Sequence, residues 1–197
     1  MALLDVVLDS WDRNNEILIN LLEAIPQGGL EARATATSPT VGQMFAHLHH
    51  ERMVSVQEEA PEAAGDVPRV EWADERDPAR IAEMLRDSGE RVGRAVRGRV
   101  EAGEEMDLSY DHPILLIQLL IFHEAYHHGQ IKLALKVAGL ALGDDVAGPR
   151  TWAVWRRRRG KPWLECAGEL SHLHSETARI QEIVDQEFER LEPEDRL

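Results

Sequence analysis

A long apolar run over residues 114–140 constrains the fold of this chain more than any other feature. Pro113 directly precedes the run and suits the first position of a helix, while Asp111 or His112 can cap the helix start. Gly139 is a natural helix end, because glycine readily adopts the left-handed conformation found there. The run therefore predicts one long helix.

Two histidines inside this predicted helix have the spacing of a metal-binding pair. His123 and His127 are four residues apart, so their side chains share one helix face, with Cβ atoms about 5–6 Å apart. Apolar residues lie on or near the same face: Leu116, Leu119, Leu120, Ile131 and Ala134. The pair is therefore expected to point into a core, where a polar group needs a bonding partner. On this pair alone, a metal ion and ordinary core hydrogen bonds both remain open.

Three further apolar stripes with helical spacing predict helices over about residues 4–25, 41–60 and 78–102. Thr40 and Gln43 fit a capping box at the start of the second helix, and residues 61–77 are predicted to be a loop. A final stripe predicts a C-terminal helix over about residues 164–191. No segment alternates with the period of two that is typical of a strand.

These elements predict an all-α fold, an up-down four-helix bundle with an additional C-terminal helix. At 197 residues the chain has the length of one domain. We expect a single domain over residues 1–197, with the core bundle in about 1–140 and a C-terminal extension in about 141–197.

The charge and cysteine content limit the partners and the compartment. A net charge of -14 argues against nucleic acid and anionic membrane, since both attract a basic surface. The single cysteine, Cys166, cannot form an internal disulfide and suits a reducing cytosol. The first residues lack the basic start of a signal peptide, and no uncharged run reaches the roughly 18–20 residues of a membrane span. The sequence therefore predicts a cytoplasmic protein.

A third candidate ligand, His47, lies in the second predicted helix. Helical bundles build metal sites from side chains on facing helices, and three neutral imidazoles with one open position suit catalytic zinc or a similar ion. The neighbouring His49 and His50, and also His128, are expected on solvated helix surfaces.

Two segments, residues 40–48 and 122–131, resemble the DinB-like superfamily, which includes bacillithiol- and mycothiol-dependent S-transferases. The resemblance covers about residues 1–140. It implies a four-helix bundle, often a homodimer, with a divalent metal such as zinc or nickel. The ligands that it implies here are His47, His123 and His127.

The chain departs from the family pattern at two positions. Tyr126 stands where the family often has histidine, and His128 stands where it often has arginine. Neither position is a ligand, so the implied site is intact. The resemblance further implies an enzyme that joins a low-molecular-weight thiol to a small electrophile. From the chemistry of the motif itself, Glu124 is expected to orient a ligand histidine or to move a proton. A non-catalytic, stress-related metal-binding module is the alternative.

The segment His123 to His127 also matches H-E-x-x-H, the signature of a zinc protease with Glu124 as general base. The extended signature fails at Gln130 and Leu133, where glycine and a third histidine are required. A downstream carboxylate, Glu165 or Glu169, could replace that third ligand. No strand is available to align a peptide substrate, which disfavours proteolysis.

A di-iron carboxylate site would use Glu124 with His127 and Glu169 with His172. It leaves His123 without a role and lacks further core glutamates, so we disfavour it. The basic run at 156–159 is interpreted as a solvated or ion-paired surface beside tryptophans that cover the bundle end, in preference to an anion site. Cys166 is interpreted as a packing residue rather than a nucleophile.

Overall fold

The structure, a computed structural model, describes residues 2–156, and their regular secondary structure is entirely helical. The helices are α1 (Leu3–Ala24), α2 (Val41–Glu59), α3 (Pro78–Ala102), α4 (Pro113–Val137), α5 (Asp144–Arg150) and α6 (Trp152–Trp155). Short 3₁₀ turns occupy Gly29–Glu31 and Pro61–Ala63. No strand occurs between residues 2 and 156, which confirms the all-α class. None of the helices in this range combines the length and apolarity needed to cross a membrane.

Some predictions fall beyond these residues. The helix predicted over 164–191 and the role of Cys166 lie outside the described residues, as do positions 157–159 of the basic run. The single-domain organisation over residues 1–197 stays a prediction.

The helices begin and end where short-range sequence signals place them. At the start of α2, Thr40 Oγ1 accepts the Gln43 amide at 3.1 Å, and Gln43 Oε1 accepts the Thr40 amide at 2.9 Å. This is the predicted capping box. At the start of α4, His112 Nδ1 accepts the amide N–H of Ile114 at 3.2 Å. Gly139 follows α4 with a φ of +76°, in the left-handed region that favours glycine.

Two hydrophobic clusters define the directions of the four long helices. One cluster joins the C-terminal halves of α1 and α4 to the N-terminal halves of α2 and α3. The other joins the opposite halves of the same helices. Helices α1 and α4 therefore run in one direction, and α2 and α3 run in the other. The all-α four-helix bundle is confirmed, but the predicted up-down order is corrected, because the consecutive helices α2 and α3 are parallel.

Parallel α2 and α3 require the chain between them, residues 60–77, to return along the length of the bundle. This return segment packs closely against the start of α2. A Cβ atom at Gly42 would lie 2.3 Å from the backbone oxygen of Glu75, so the close approach requires glycine. The Gln43 side-chain amide donates to the Trp72 carbonyl at 3.3 Å. The return segment is therefore fixed to the first turn of α2.

The short helices α5 and α6 pack against α1. Asn20 Nδ2 donates to the Arg150 carbonyl at 3.2 Å, and the Arg13 guanidinium donates to the Val154 carbonyl. Trp152 and Trp155 are about half exposed, and their role in covering the bundle end stays a prediction.

Candidate metal centre

Three histidines from two helices meet between α2 and α4. Nε2 of His123 lies 3.3 Å from Nε2 of His47 and 3.1 Å from Nε2 of His127. Two nitrogen ligands bound tetrahedrally to one zinc ion lie about 3.3 Å apart, given Zn–N bonds of about 2.0–2.1 Å. The observed separations therefore fit three nitrogens that share one ion. The structure brings together all three residues that the family resemblance implied as ligands.

The surroundings of His47 and His127 favour the neutral form of the imidazole, which is the form that binds metals. The pKa of His127 is lowered to about 4, mainly by burial and in addition by the neighbouring His123 and His47. Burial is also the main cause that lowers the pKa of His47, against the raising effects of Glu51 and Glu71. A neutral imidazole keeps one ring nitrogen with a free lone pair. Low pKa values mean that protons compete weakly for these nitrogens at neutral pH.

Hydrogen bonding among the histidines alone cannot satisfy this arrangement well. In the ring plane, Nε2 of His123 has either one N–H or one lone pair, yet it faces two other Nε2 atoms. Nδ1 of His127 is buried without a hydrogen-bond partner in the described part of the chain. A cation between the three Nε2 atoms would engage all three lone pairs at once. The donor set therefore fits a divalent metal.

The return segment adds two residues to this site that the sequence did not predict. The indole of Trp72 stacks on the imidazole of His47, with ring centroids 4.0 Å apart and planes 5° apart. Oε1 of Glu71 lies 2.9 Å from Nδ1 of the same imidazole. The oxygen lies off the direction of a good N–H hydrogen bond, so the contact is a close electrostatic one. No local sequence signal indicated either contact, because both depend on the path of residues 60–77.

The sequence interpretation placed Glu124 beside the metal ligands, and the structure corrects this. Its two carboxylate oxygens accept from Nε and Nη2 of Arg52 at 2.6 and 2.9 Å, and Asn14 Nδ2 donates to one of them at 2.5 Å. Both charged side chains are buried, with 0% and 1% exposed. Position 124 lies in the middle of the buried stripe of α4, so its side chain points into the core. The geometry therefore supports neither proton transfer by Glu124 nor contact with a ligand histidine.

Arg52 connects Glu124 to the other helices of the bundle. Its Nη1 donates to Asn15 Oδ1 of α1 at 2.8 Å and to the Leu85 carbonyl of α3 at 2.9 Å. The guanidinium also lies over the ring of Trp11, 4.7 Å from its centroid. The pair thus contacts all four long helices. The sequence analysis did not predict this pair. The available signal was an arginine at a core-facing position of α2 together with a glutamate at a core-facing position of α4.

This arrangement bears on the two alternative metal sites. Glu124 cannot serve as the base of an H-E-x-x-H protease while Arg52 holds both of its oxygens. The same contacts remove Glu124 from the predicted di-iron ligand set. Its other members, Glu169 and His172, lie outside the described residues, as does Glu165.

His49 is the other correction in this region. It was expected on a solvated surface, but it is buried, with 7% of its area exposed. The reason is that α2 packs against both α3 and α4, so two of its faces are covered. His49 lines an open cavity of about 600 Å³ with Met84 and several charged residues of α3, away from the three-histidine cluster. His50 and His128 are half-buried.

Comparison with known proteins supports the resemblance seen in the sequence. A model of the DinB family matches residues 1–145, which is most of the chain. The chain therefore belongs to the DinB family, and the predicted family is confirmed. Searches among curated proteins and among solved structures found no match.

The buried ion pair leads to a prediction about stability. Replacing Glu124 by glutamine leaves the Arg52 guanidinium buried without its counter-charge, so we expect a loss of roughly 3–5 kcal/mol in the free energy of unfolding. Urea denaturation of the metal-free protein measures this loss. The double variant Arg52→Met, Glu124→Leu is the control and should lose less, because it buries no unpaired charge. Unchanged stability in Glu124→Gln would contradict the structural role.

The low pKa of His127 leads to a prediction about pH. The folded protein binds this proton near pH 4, whereas the ordinary value of 6.5 applies on unfolding. Above both values His127 is neutral in both states and has no effect. As the pH falls from 6.5 towards 4, the unfolded state takes up the proton first, so stability declines. Urea denaturation with chelator present should show a shallower decline for His127→Gln. Parallel declines in both proteins would refute this assignment.

Proposed function

We propose that this DinB family protein is a metal-dependent transferase that joins a small-molecule thiol to a small electrophile. The observation that carries the proposal is the convergence of three imidazoles: Nε2 of His123 lies 3.3 Å from Nε2 of His47 and 3.1 Å from Nε2 of His127. Three protein ligands leave one position of a tetrahedral ion open for a substrate, as in catalytic sites. Zinc or nickel suits an all-imidazole set.

The reaction needs a thiolate at neutral pH. A bound divalent ion supplies Lewis acidity, which favours the deprotonated form of a coordinating thiol. In the reaction, the sulfur forms a bond to the electrophilic atom, the leaving group departs with its bonding electrons, and the thiol proton passes to solvent. The neutral imidazoles contribute a fixed geometry. Arg52 and Glu124 support it from the core, because their pairing fixes α2 against α4.

Metal binding is the first step to test. We expect the chelator-treated, full-length chain to retain its helical circular dichroism, because two apolar clusters hold the bundle together, and to take up one zinc or nickel ion. His47→Ala, His123→Ala and His127→Ala should each weaken uptake in a titration, since each removes one of three ligands. His50→Ala is the matched control on α2 and should bind like the wild type. Loss of all helix on chelation would instead indicate a structural metal.

Thiol chemistry is the second step. With metal bound, we expect loss of free thiol when bacillithiol, mycothiol or related thiols are mixed with a panel of electrophiles, and His123→Ala should abolish this loss. Casein cleavage measured alongside tests the hydrolase alternative. No turnover in either assay at full metal occupancy would favour a non-catalytic metal-binding module.

A second copy of the chain is the proposed partner of the outer face of α4. Six large apolar side chains repeat there at intervals of three, four or seven residues and are 44–75% exposed: Leu115, Leu119, Phe122, Tyr126, Leu133 and Val137. Leu119 was expected to face the core and instead lies on this face. The single acidic residue of α4, Glu124, is buried, so this face avoids the repulsion expected between two chains of charge -14. An exposed apolar stripe of this kind is typical of an interaction surface.

The dimer proposal predicts a change in mass. Phe122→Glu places a charge in the middle of the stripe, so it should convert a dimer to a monomer in sedimentation or light-scattering measurements. Leu108→Glu is the matched control, because Leu108 is 70% exposed in the connection before α4. A wild-type chain that is monomeric at all concentrations, or dissociation by both variants alike, would contradict an α4 interface.

A further inference from the structure

The return segment brings a carboxylate to the side of His47 that faces away from the other two histidines. Nε2 of His47 points towards His123, while Nδ1 on the opposite side of the ring lies 2.9 Å from Oε1 of Glu71. Nδ1 is buried and has no hydrogen-bond partner within residues 2–156. Glu71 is the one residue of this range whose carboxylate lies within ion-pair distance of His47.

The two ring nitrogens of a histidine are linked by its tautomer. For Nε2 to present a lone pair to a metal, the neutral ring must have its proton on Nδ1. A carboxylate close to Nδ1 favours that tautomer, limits rotation of the ring and increases the basicity of Nε2. Glu71 is placed to do this for His47. Within residues 2–156, neither His123 nor His127 has a comparable carboxylate contact at Nδ1.

We propose that Glu71 is a positioning residue that sets the tautomer and orientation of His47 for metal binding. The inference rests on the proposed metal site and adds a residue from outside the two helices that hold the ligands. Small rotation about the side-chain bonds of Glu71 would bring its oxygen into line with the Nδ1 proton. Trp72 assists by stacking on the ring and fixing its plane.

Glu71 is held near His47 by contacts of its own segment. The side chain of Gln43, which also closes the capping box of α2, donates to the carbonyl of Trp72. The lack of a side chain at Gly42 lets the backbone at Glu75 approach the same turn. Because His47 lies about one turn further along α2, the segment reaches its imidazole from a fixed starting point.

Glu51 provides a rival explanation of the same geometry. Ligand atoms of His47, Glu51 and Glu71 lie within 4.8 Å of one another, which would also suit a second cation. The carboxylates are 38% and 44% exposed, and solvated acids at this exposure are common without an ion. Of the two carboxylates, Glu71 is the one that lies 2.9 Å from Nδ1 of His47, so we favour the positioning role for Glu71. The two readings differ in metal stoichiometry.

The test compares zinc affinities in the full-length chain by competition with a chromophoric chelator. Glu71→Ala should weaken zinc binding by about tenfold or more, in the range seen when such outer partners are removed. Glu71→Gln should retain part of the affinity, because its amide oxygen can still accept the Nδ1 proton. Glu51→Ala removes a nearby charge without the Nδ1 contact, so it is the matched control and should stay close to wild type.

Nitrogen NMR of the histidine rings in the metal-free protein gives a second readout. The wild type should show His47 protonated at Nδ1, and Glu71→Ala should shift it towards a mixture of tautomers. Equal zinc affinity in wild type and Glu71→Ala, or an unchanged tautomer, would overturn the inference while leaving the metal site intact. Two zinc ions per chain, one lost in Glu51→Ala, would overturn it in favour of a second cation. A wild-type chain that binds no zinc overturns the proposed function itself.

Discussion

The paired charges of Arg52 and Glu124 are the contact on which the arrangement of the described bundle depends. Burying two charges is costly unless nearly all of their hydrogen-bonding capacity is used. Here the partners come from all four long helices, so only one register of the bundle satisfies them. That register sets His47 opposite the histidines of α4. A shift of one turn between α2 and α4 would break the ion pair and would at the same time move His47 away from the histidines of α4.

The sequence predicted the helices well because local chemistry determines their ends. The capping box at Thr40, the proline at the start of α4 and the glycine after it each act within a few residues. Helix direction is a different matter. No short-range sequence signal indicates that α2 and α3 are parallel, because their relative direction depends on which apolar faces pack together. The burial of His49 follows from the same cause, because α2 is covered on two sides.

The part of the candidate site that lies on one helix was predictable from residue spacing. The part that the return segment contributes was not predictable. The spacing of His123 and His127 places them on one face, and the family resemblance added His47. Glu124 was misplaced because its neighbours in sequence suggested a metal-side role, whereas its angular position on α4 directs it to the core. Glu71 and Trp72 could not be found, because a loop sequence does not reveal what the loop touches.

Because the return segment, residues 60–77, runs the length of the bundle, the site is built from two different parts of the chain. The helices hold the three histidines, and the return segment contacts one of them. The helices are constrained by close packing and buried charge, so few substitutions leave the nitrogen positions unchanged. The connecting chain meets fewer such constraints, yet two of its side chains lie against His47. Evolution can thus adjust the surroundings of the histidines through a surface segment while the frame that holds them stays the same. Because α2 and α3 are parallel, the chain between them must pass along the bundle, and the residues around His47 can therefore change separately from the helices that hold the histidines.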